Sequence, residues 1–276
     1  SQYDPFFRCE QALLGRVRST RKEALYTLGP ARMPFVMNQM GRAALAEAYG
    51  TFLLTLIGPG TITAVTFLDS SIIGAGITGA SLGFIGLAHG VALLLAVYTI
   101  GRLTGAHINP AVTIAHWATR RIETKKVAPY ILGQLAGATI AGFVQLALWT
   151  SSNNRGLVQA AQSTFLGDTI PNMAFGIGAI LLAEVIGTAI LVFTIFGATS
   201  KAADPSRAGV TIGFALAAMV WTFGPISGAS LNPARTWGPT IASAFFSLTP
   251  LGNLWIYVVG PILGGLLGAF LYDALR

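Results

Sequence analysis

Six stretches of the 276-residue chain are long, apolar and almost free of ionisable side chains, at about 43–66, 81–100, 127–149, 177–198, 208–224 and 254–273. Each is rich in Leu, Ile, Val, Ala and Phe. About 20 such residues cross a bilayer as a helix, which satisfies its own backbone hydrogen bonds where no water can. A membrane barrel would alternate apolar with polar residues instead. Only 10% of the residues are charged, whereas a soluble domain carries about 25%, so the chain has too few charges to clothe a water-facing surface. The sequence predicts an all-α integral membrane protein with six transmembrane helices.

The charges that do occur are sorted by side. Arg8, Arg16, Arg18, Arg21, Lys22, Arg32 and Arg42 precede the first span. Arg120, Arg121, Lys125 and Lys126 lie between the second and third, Lys201 and Arg207 between the fourth and fifth, and Arg276 ends the chain. The opposite side has Arg155 and almost nothing else. This positive-inside bias places both termini in the cytoplasm of a multi-pass protein of the plasma or inner membrane. The net charge of +7 then reflects topology, with no nucleic-acid partner implied. Residues 1–40 read as a basic cytoplasmic tail without a signal-peptide core. That tail is either an amphipathic segment on the inner membrane surface or a loosely ordered extension. The single cysteine, Cys9, excludes a disulfide within the chain, and three scattered histidines suggest neither a metal site nor a cofactor.

An internal repeat organises the spans. "AEAYGTF" (46–52) opens the first and "AEVIGTA" (183–189) opens the fourth, so Glu47 and Glu184 each stand three residues before a Gly-Thr pair. "GAHINPAVT" (105–113) follows the second span and "GASLNPART" (228–236) follows the fifth. Each half, about 41–150 and 177–276, therefore reads helix, helix, Asn-Pro segment, helix. Three spans per half is an odd number, so the second half enters the membrane inverted, and such repeats place a transport site between the halves at the midplane.

The two Asn-Pro segments continue as "PAVTIAHWATR" and "PARTWGPTIASAFF", too short to span. Proline suits the first position of a helix, where its missing N–H is not needed, and the preceding Asn can cap it. Each segment reads as a re-entrant half-helix starting at Pro110 or Pro233. Entering from opposite faces, the two direct their positive N-terminal ends at the bilayer centre. Asn109 and Asn232 become donors to a central water or solute, and cations are penalised there.

With these residues the chain resembles the aquaporin (major intrinsic protein) family, whose mark is two Asn-Pro-Ala motifs on opposed half-helices. Here they are Asn109-Pro110-Ala111 and Asn232-Pro233-Ala234, with Arg235 directly after the second. The resemblance covers about residues 41–276 and implies a homotetrameric passive channel with one pore per subunit, in contact with lipid. It passes water or small neutral solutes (ammonia, urea, peroxide and glycerol are candidates) and excludes protons and ions. The family's outer selectivity filter falls on His89, Val220, Ala229 and Arg235. A His paired with a small Val resembles the filter of plant vacuolar aquaporins, while "IGPG" in the first span and Tyr257-Val258 in the sixth resemble archaeal and bacterial members. Thr236 and Thr240 stand where glyceroporins carry Asp and a basic residue, which favours water. Glu47, Glu184 and Gln134 match loop-bracing positions, His107 a place in the cytoplasmic vestibule, and His116 a packed or interfacial one. A secondary transporter built on the same inverted repeat is the alternative, and it would need a titratable coupling residue at mid-membrane. A membrane enzyme is disfavoured, since no nucleophile–base set or nucleotide loop is present.

Overall fold

The computed structural model of the protein describes residues 37–72 and 77–276. The tail expected over residues 1–40 lies, as far as residue 36, outside the described residues. Nine α-helices are described: α1 (Gln39–Ile72), α2 (Gly79–Thr104), α3 (Pro110–Ala118), α4 (Thr124–Thr150), α5 (Arg155–Ser163), α6 (Ile177–Ala198), α7 (Ala208–Ser227), α8 (Pro233–Ser243) and α9 (Thr249–Leu275). Among them α1, α2, α4, α6, α7 and α9 are long and apolar enough to cross a membrane. The protein is an all-α membrane protein with six spans, and the short helices α3 and α8 are those that begin at the Asn-Pro phrases.

Most spans overrun the apolar limits read from the sequence, and at α2 a cap carries the helix beyond its apolar portion. Before α2, Thr78 Oγ1 accepts from Ser81 N and Ser81 Oγ accepts from Thr78 N, a reciprocal box that ties down two free N–H groups. Helix α5 was not anticipated. It is only nine residues long, carries polar side chains on much of its surface and is capped by Asn154 Oδ1, which accepts from Gly156 N and Leu157 N.

The repeat is built into the packing. Helix α1 lies along α4 as α6 lies along α9, while α2 crosses α7 between the halves. Glycines make both pairings close. A Cβ on Gly133 or Gly137 of α4 would fall 2.2 or 1.9 Å from the carbonyl oxygens of Ala44 or Ala48 in α1. A Cβ on Gly264 or Gly268 of α9 would fall 2.2 or 2.1 Å from those of Val185 or Ala189 in α6. Without a strong hydrophobic drive between helices in lipid, this backbone proximity is what gives close van der Waals packing. The half-helices are exchanged: α3 packs chiefly on α9 and α8 on α4, each against the other half's last span.

Pro59 sits inside α1. Its missing N–H frees the carbonyl of Thr55 one turn earlier, and an unpaired carbonyl in a bilayer costs several kcal/mol by order of magnitude. Gln145 of α4, 1% exposed, donates Nε2 to that oxygen at 2.8 Å. The proline and the buried amide are a matched pair.

Candidate functional site

The segments between α2 and α3 and between α7 and α8 have the same backbone. Gly105, Ala106 and Ile108 have φ of 86°, 52° and 58°, and Gly228, Ala229 and Leu231 have 84°, 46° and 54°. Left-handed geometry is strained for a side-chain-bearing residue, most of all a β-branched one such as Ile108, and costs about 1–3 kcal/mol each. Surrounding bonds hold it in place. Glu47 Oε1 and Oε2 accept from the N–H groups of His107 and Ile108 at 3.0 and 2.6 Å. Glu184 accepts likewise from Ser230 and Leu231 at 2.9 and 2.8 Å. Both acids are fully buried. Gln134 reaches the first loop through Glu47, donating Nε2 to its carboxylate at 2.7 Å and to Thr113 Oγ1 at 3.0 Å.

Two tyrosines, which sequence reasoning missed as loop supports, complete this scaffold. Tyr130 donates to Thr104 O at 2.9 Å and Tyr257 to Ser227 O at 2.6 Å, at the last residues of α2 and α7. A third repeated phrase was the available signal, since "YILG" (130–133) and "YVVG" (257–260) occupy matching places in α4 and α9.

Asn109 and Asn232 cap the half-helices. Asn109 Oδ1 accepts from Ala111 N, and Asn232 Oδ1 accepts from Ala234 N and Arg235 N. With the oxygens turned to their own helices, the amide nitrogens cross to the opposing loop. Asn109 Nδ2 donates to Leu231 O at 2.7 Å and Asn232 Nδ2 to Ile108 O at 2.9 Å. One N–H of each amide remains for a third partner. Pro110, Ala111, Pro233 and Ala234 form the first buried turns of the two half-helices.

Both asparagines line one cavity of about 40 Å³, room for a few waters by order of magnitude. Val97, Ile195 and Thr199 line its wall with His107, and His89 and Arg235 line it too. His107 Nδ1 pairs with Thr113 Oγ1 at 3.1 Å, and its ring lies 4.2 Å from that of His116, which packs edge-on to Phe196.

His89 and Arg235 meet. His89 Nδ1 donates to Ile85 O at 2.8 Å, which leaves Nε2 as an acceptor for Arg235 Nε and Nη2 at 3.4 and 3.2 Å. Arg235 is 1% exposed, and its Nη1 has no protein partner. Val220 lines a second cavity, of about 600 Å³, with Asp168 and Gly228. Ala229 is buried with its N–H on Ser227 Oγ. Of the four residues assigned to one filter, His89 and Arg235 are in hydrogen-bond contact. Asp168 and Thr169, which meet Thr240 and Thr236 of α8, were not singled out from the sequence, where Thr240 and Thr236 served only to favour water.

A model of the family described as "Major intrinsic protein" matches residues 35–272. The chain is 39% identical to aquaporin AqpM of Methanothermobacter marburgensis, over 87% of this chain and 99% of that protein. It is 34% identical to aquaporin Z of Rhodopseudomonas palustris, over 84% and 92% of the two chains. Among solved structures, the X-ray structure of the aquaglyceroporin from Plasmodium falciparum superposes with a TM-score of 0.74 at 22% identity, covering 85% of this chain and 96% of that one.

Proposed function

The chain belongs to the major intrinsic protein family, and from that premise we propose that it is a passive channel for water and small neutral solutes which rejects protons and ions. The observation that carries this reading is that the caps of two half-helix N-termini, Asn109 and Asn232, line one small cavity of about 40 Å³. Each N-terminus carries about half a positive charge, and the nearby Asn109 and Asn232 amides offer N–H donors. A cation meets positive potential from both half-helices and again at Arg235. A water at the centre donates to neither asparagine and must accept from both, which breaks the run of like-oriented hydrogen bonds that a proton would follow.

His89, Val220, Ala229 and Arg235 form the outer selectivity filter in this reading. The free Nη1 of Arg235 is the donor a passing solute meets there, and the small Val220 leaves width for molecules such as ammonia, urea, peroxide or glycerol beside water. Both termini face the cytoplasm, the loop holding Arg155 faces outward, and four copies assemble with one pore each in the cell membrane. The chain is a channel and not an enzyme. A coupled transporter is disfavoured because the buried acids Glu47 and Glu184 are occupied with loop N–H groups.

Stopped-flow light scattering on proteoliposomes tests the proposal. Expected are fast osmotic shrinkage with low temperature dependence and gradient-driven entry of at least one small neutral solute. Saturable, ion-coupled flux would overturn it. Arg235→Ala combined with Val220→Ala should admit larger solutes or leak cations, and unchanged selectivity would remove both residues from the filter.

A further inference from the structure

Asp168 is a buried carboxylate in the loop between α5 and α6, 7% exposed. Its Oδ2 accepts from Thr240 Oγ1 of α8 at 2.6 Å, and its Oδ1 accepts from Thr169 N at 2.7 Å. From there the bonds continue along the half-helix. Thr169 Oγ1 pairs with Thr236 Oγ1 at 2.5 Å, and Thr236 Oγ1 with Ser230 Oγ at 2.5 Å. Ser230 N donates to Glu184. A series of hydrogen-bonded residues, Thr169, Thr236 and Ser230, therefore links Asp168 to Glu184, two acids from different segments, around the turn that carries Arg235.

The loop is also fixed sterically. A Cβ on Gly167 would stand 1.9 Å from Pro59 O of α1, and one on Gly228 would stand 3.3 Å from Thr169. Asn172 donates N to Ile226 O and Nδ2 to Pro225 O. Asp168 thus cannot withdraw to solvent without lifting the whole loop. Among the described residues, the ionisable groups that act on it electrostatically are Arg235 from α8 and Tyr257 from α9; Arg235 in turn feels Glu184 from α6. The cavity wall that Asp168 shares with α1, α2 and α7 is apolar or hydroxylic, with Ile62, Thr78, Leu82, Ile85 and Val220.

We propose that Asp168 is a specificity-determining, positioning residue of the pore. Its carboxylate anchors the base of α8 and offsets the charge of Arg235, so its protonation state sets how strongly the filter holds polar solutes relative to water. This rests on the filter reading above. Ionised, Asp168 draws the Thr240 and Thr169 donors tight and lowers the positive potential at Arg235. Protonated or neutralised, it releases one of those donors and leaves Arg235 uncompensated. Burial pushes this carboxyl up to about 7, so both forms exist in the range where the channel is assayed.

The test is the ratio of urea to water permeability in proteoliposomes between pH 5 and 9, for the wild type, Asp168→Asn and Thr240→Val. The expected wild-type ratio steps about two-fold or more across a single-proton transition near neutrality. Asp168→Asn, which keeps shape but not charge, gives a flat ratio near the wild type's acid plateau. Thr240→Val removes a donor to the ionised form and moves the transition to higher pH. Infrared difference spectra supply a readout independent of flux. A protonated-carboxyl band that titrates with the same midpoint should vanish in Asp168→Asn. A flat wild-type ratio, or an Asn variant that keeps the transition, overturns the role of Asp168 while leaving the water channel standing. A wild type that conducts no water overturns the channel reading itself.

Discussion

Arg235 is held in a place where a free guanidinium would not stay. It is 1% exposed, with His89 Nε2 as its side-chain hydrogen-bond partner and one nitrogen unpaired. Burying a charge costs several kcal/mol by order of magnitude unless other charges share it, and the carboxyl groups of Asp168 and Glu184 provide that field. The compensation has its own cost at Asp168. Its carboxyl is raised by burial from 3.8 to about 7, so the folded protein holds this proton more tightly than the unfolded chain. The stability it contributes is complete below about pH 4 and is lost as pH rises through about 7. Thermal melts in detergent should therefore fall from pH 5 to pH 8 in the wild type and fall less in Asp168→Asn; equal pH dependence would place the titrating group elsewhere. Ala229 gives a second test at this scale. In the filter reading its side chain borders the pore, and none of the residues lining the cavity around Asn109 and Asn232 is a cysteine. Mercurials should leave wild-type water flux intact and block Ala229→Cys reversibly, and a strongly blocked wild type would contradict the assignment.

At the level of elements, the helices show which features a sequence exposes and which it hides. The half-helices were legible because Asn-Pro sets a cap and a first turn locally, with no need of the rest of the fold. Their cross-bracing was legible only in part. Glu47 and Glu184 stand out as acids in apolar spans, but Gln145 is one amide among many polar side chains until α4 is laid against α1 and meets the carbonyl that Pro59 sets free. Asp168 was hidden for the same reason, since its partners Thr240 and Arg235 are about 70 residues further along. Gln145→Leu should cost about 1–3 kcal/mol by leaving the Thr55 carbonyl unpaired in the membrane. Pro59→Ala restores an N–H one turn from that carbonyl, so the double variant should recover most of the loss. Detergent unfolding of the four proteins forms a double-mutant cycle, and purely additive effects would show that the proline and the amide are not coupled.

Over the whole molecule the repeat does more than duplicate a helix set. Because α3 packs on α9 and α8 on α4, neither half can close its half-helix against its own last span alone, and the pore exists only when the two are assembled. Each asparagine also donates to the other half's loop, so the central barrier is a joint product of both. That exchange was not readable from the sequence, which displays the matched phrases but not the partner each one packs against. One span, α6, separates Arg155 from Lys201, so the two must lie on opposite faces. In the proposed orientation, argued from the excess of Arg and Lys around residues 120–126 and 201–207, Lys201 is inside. Both side chains are on exposed residues. In a Cys9→Ser background, which removes the only native thiol, Arg155→Cys should react with a membrane-impermeant maleimide on intact cells. Lys201→Cys should react only after permeabilisation. Reversed labelling would invert the orientation and with it the outward placement of Arg235. Labelling of both on intact cells would mean that α6 does not cross the membrane, since that single span separates the two loops.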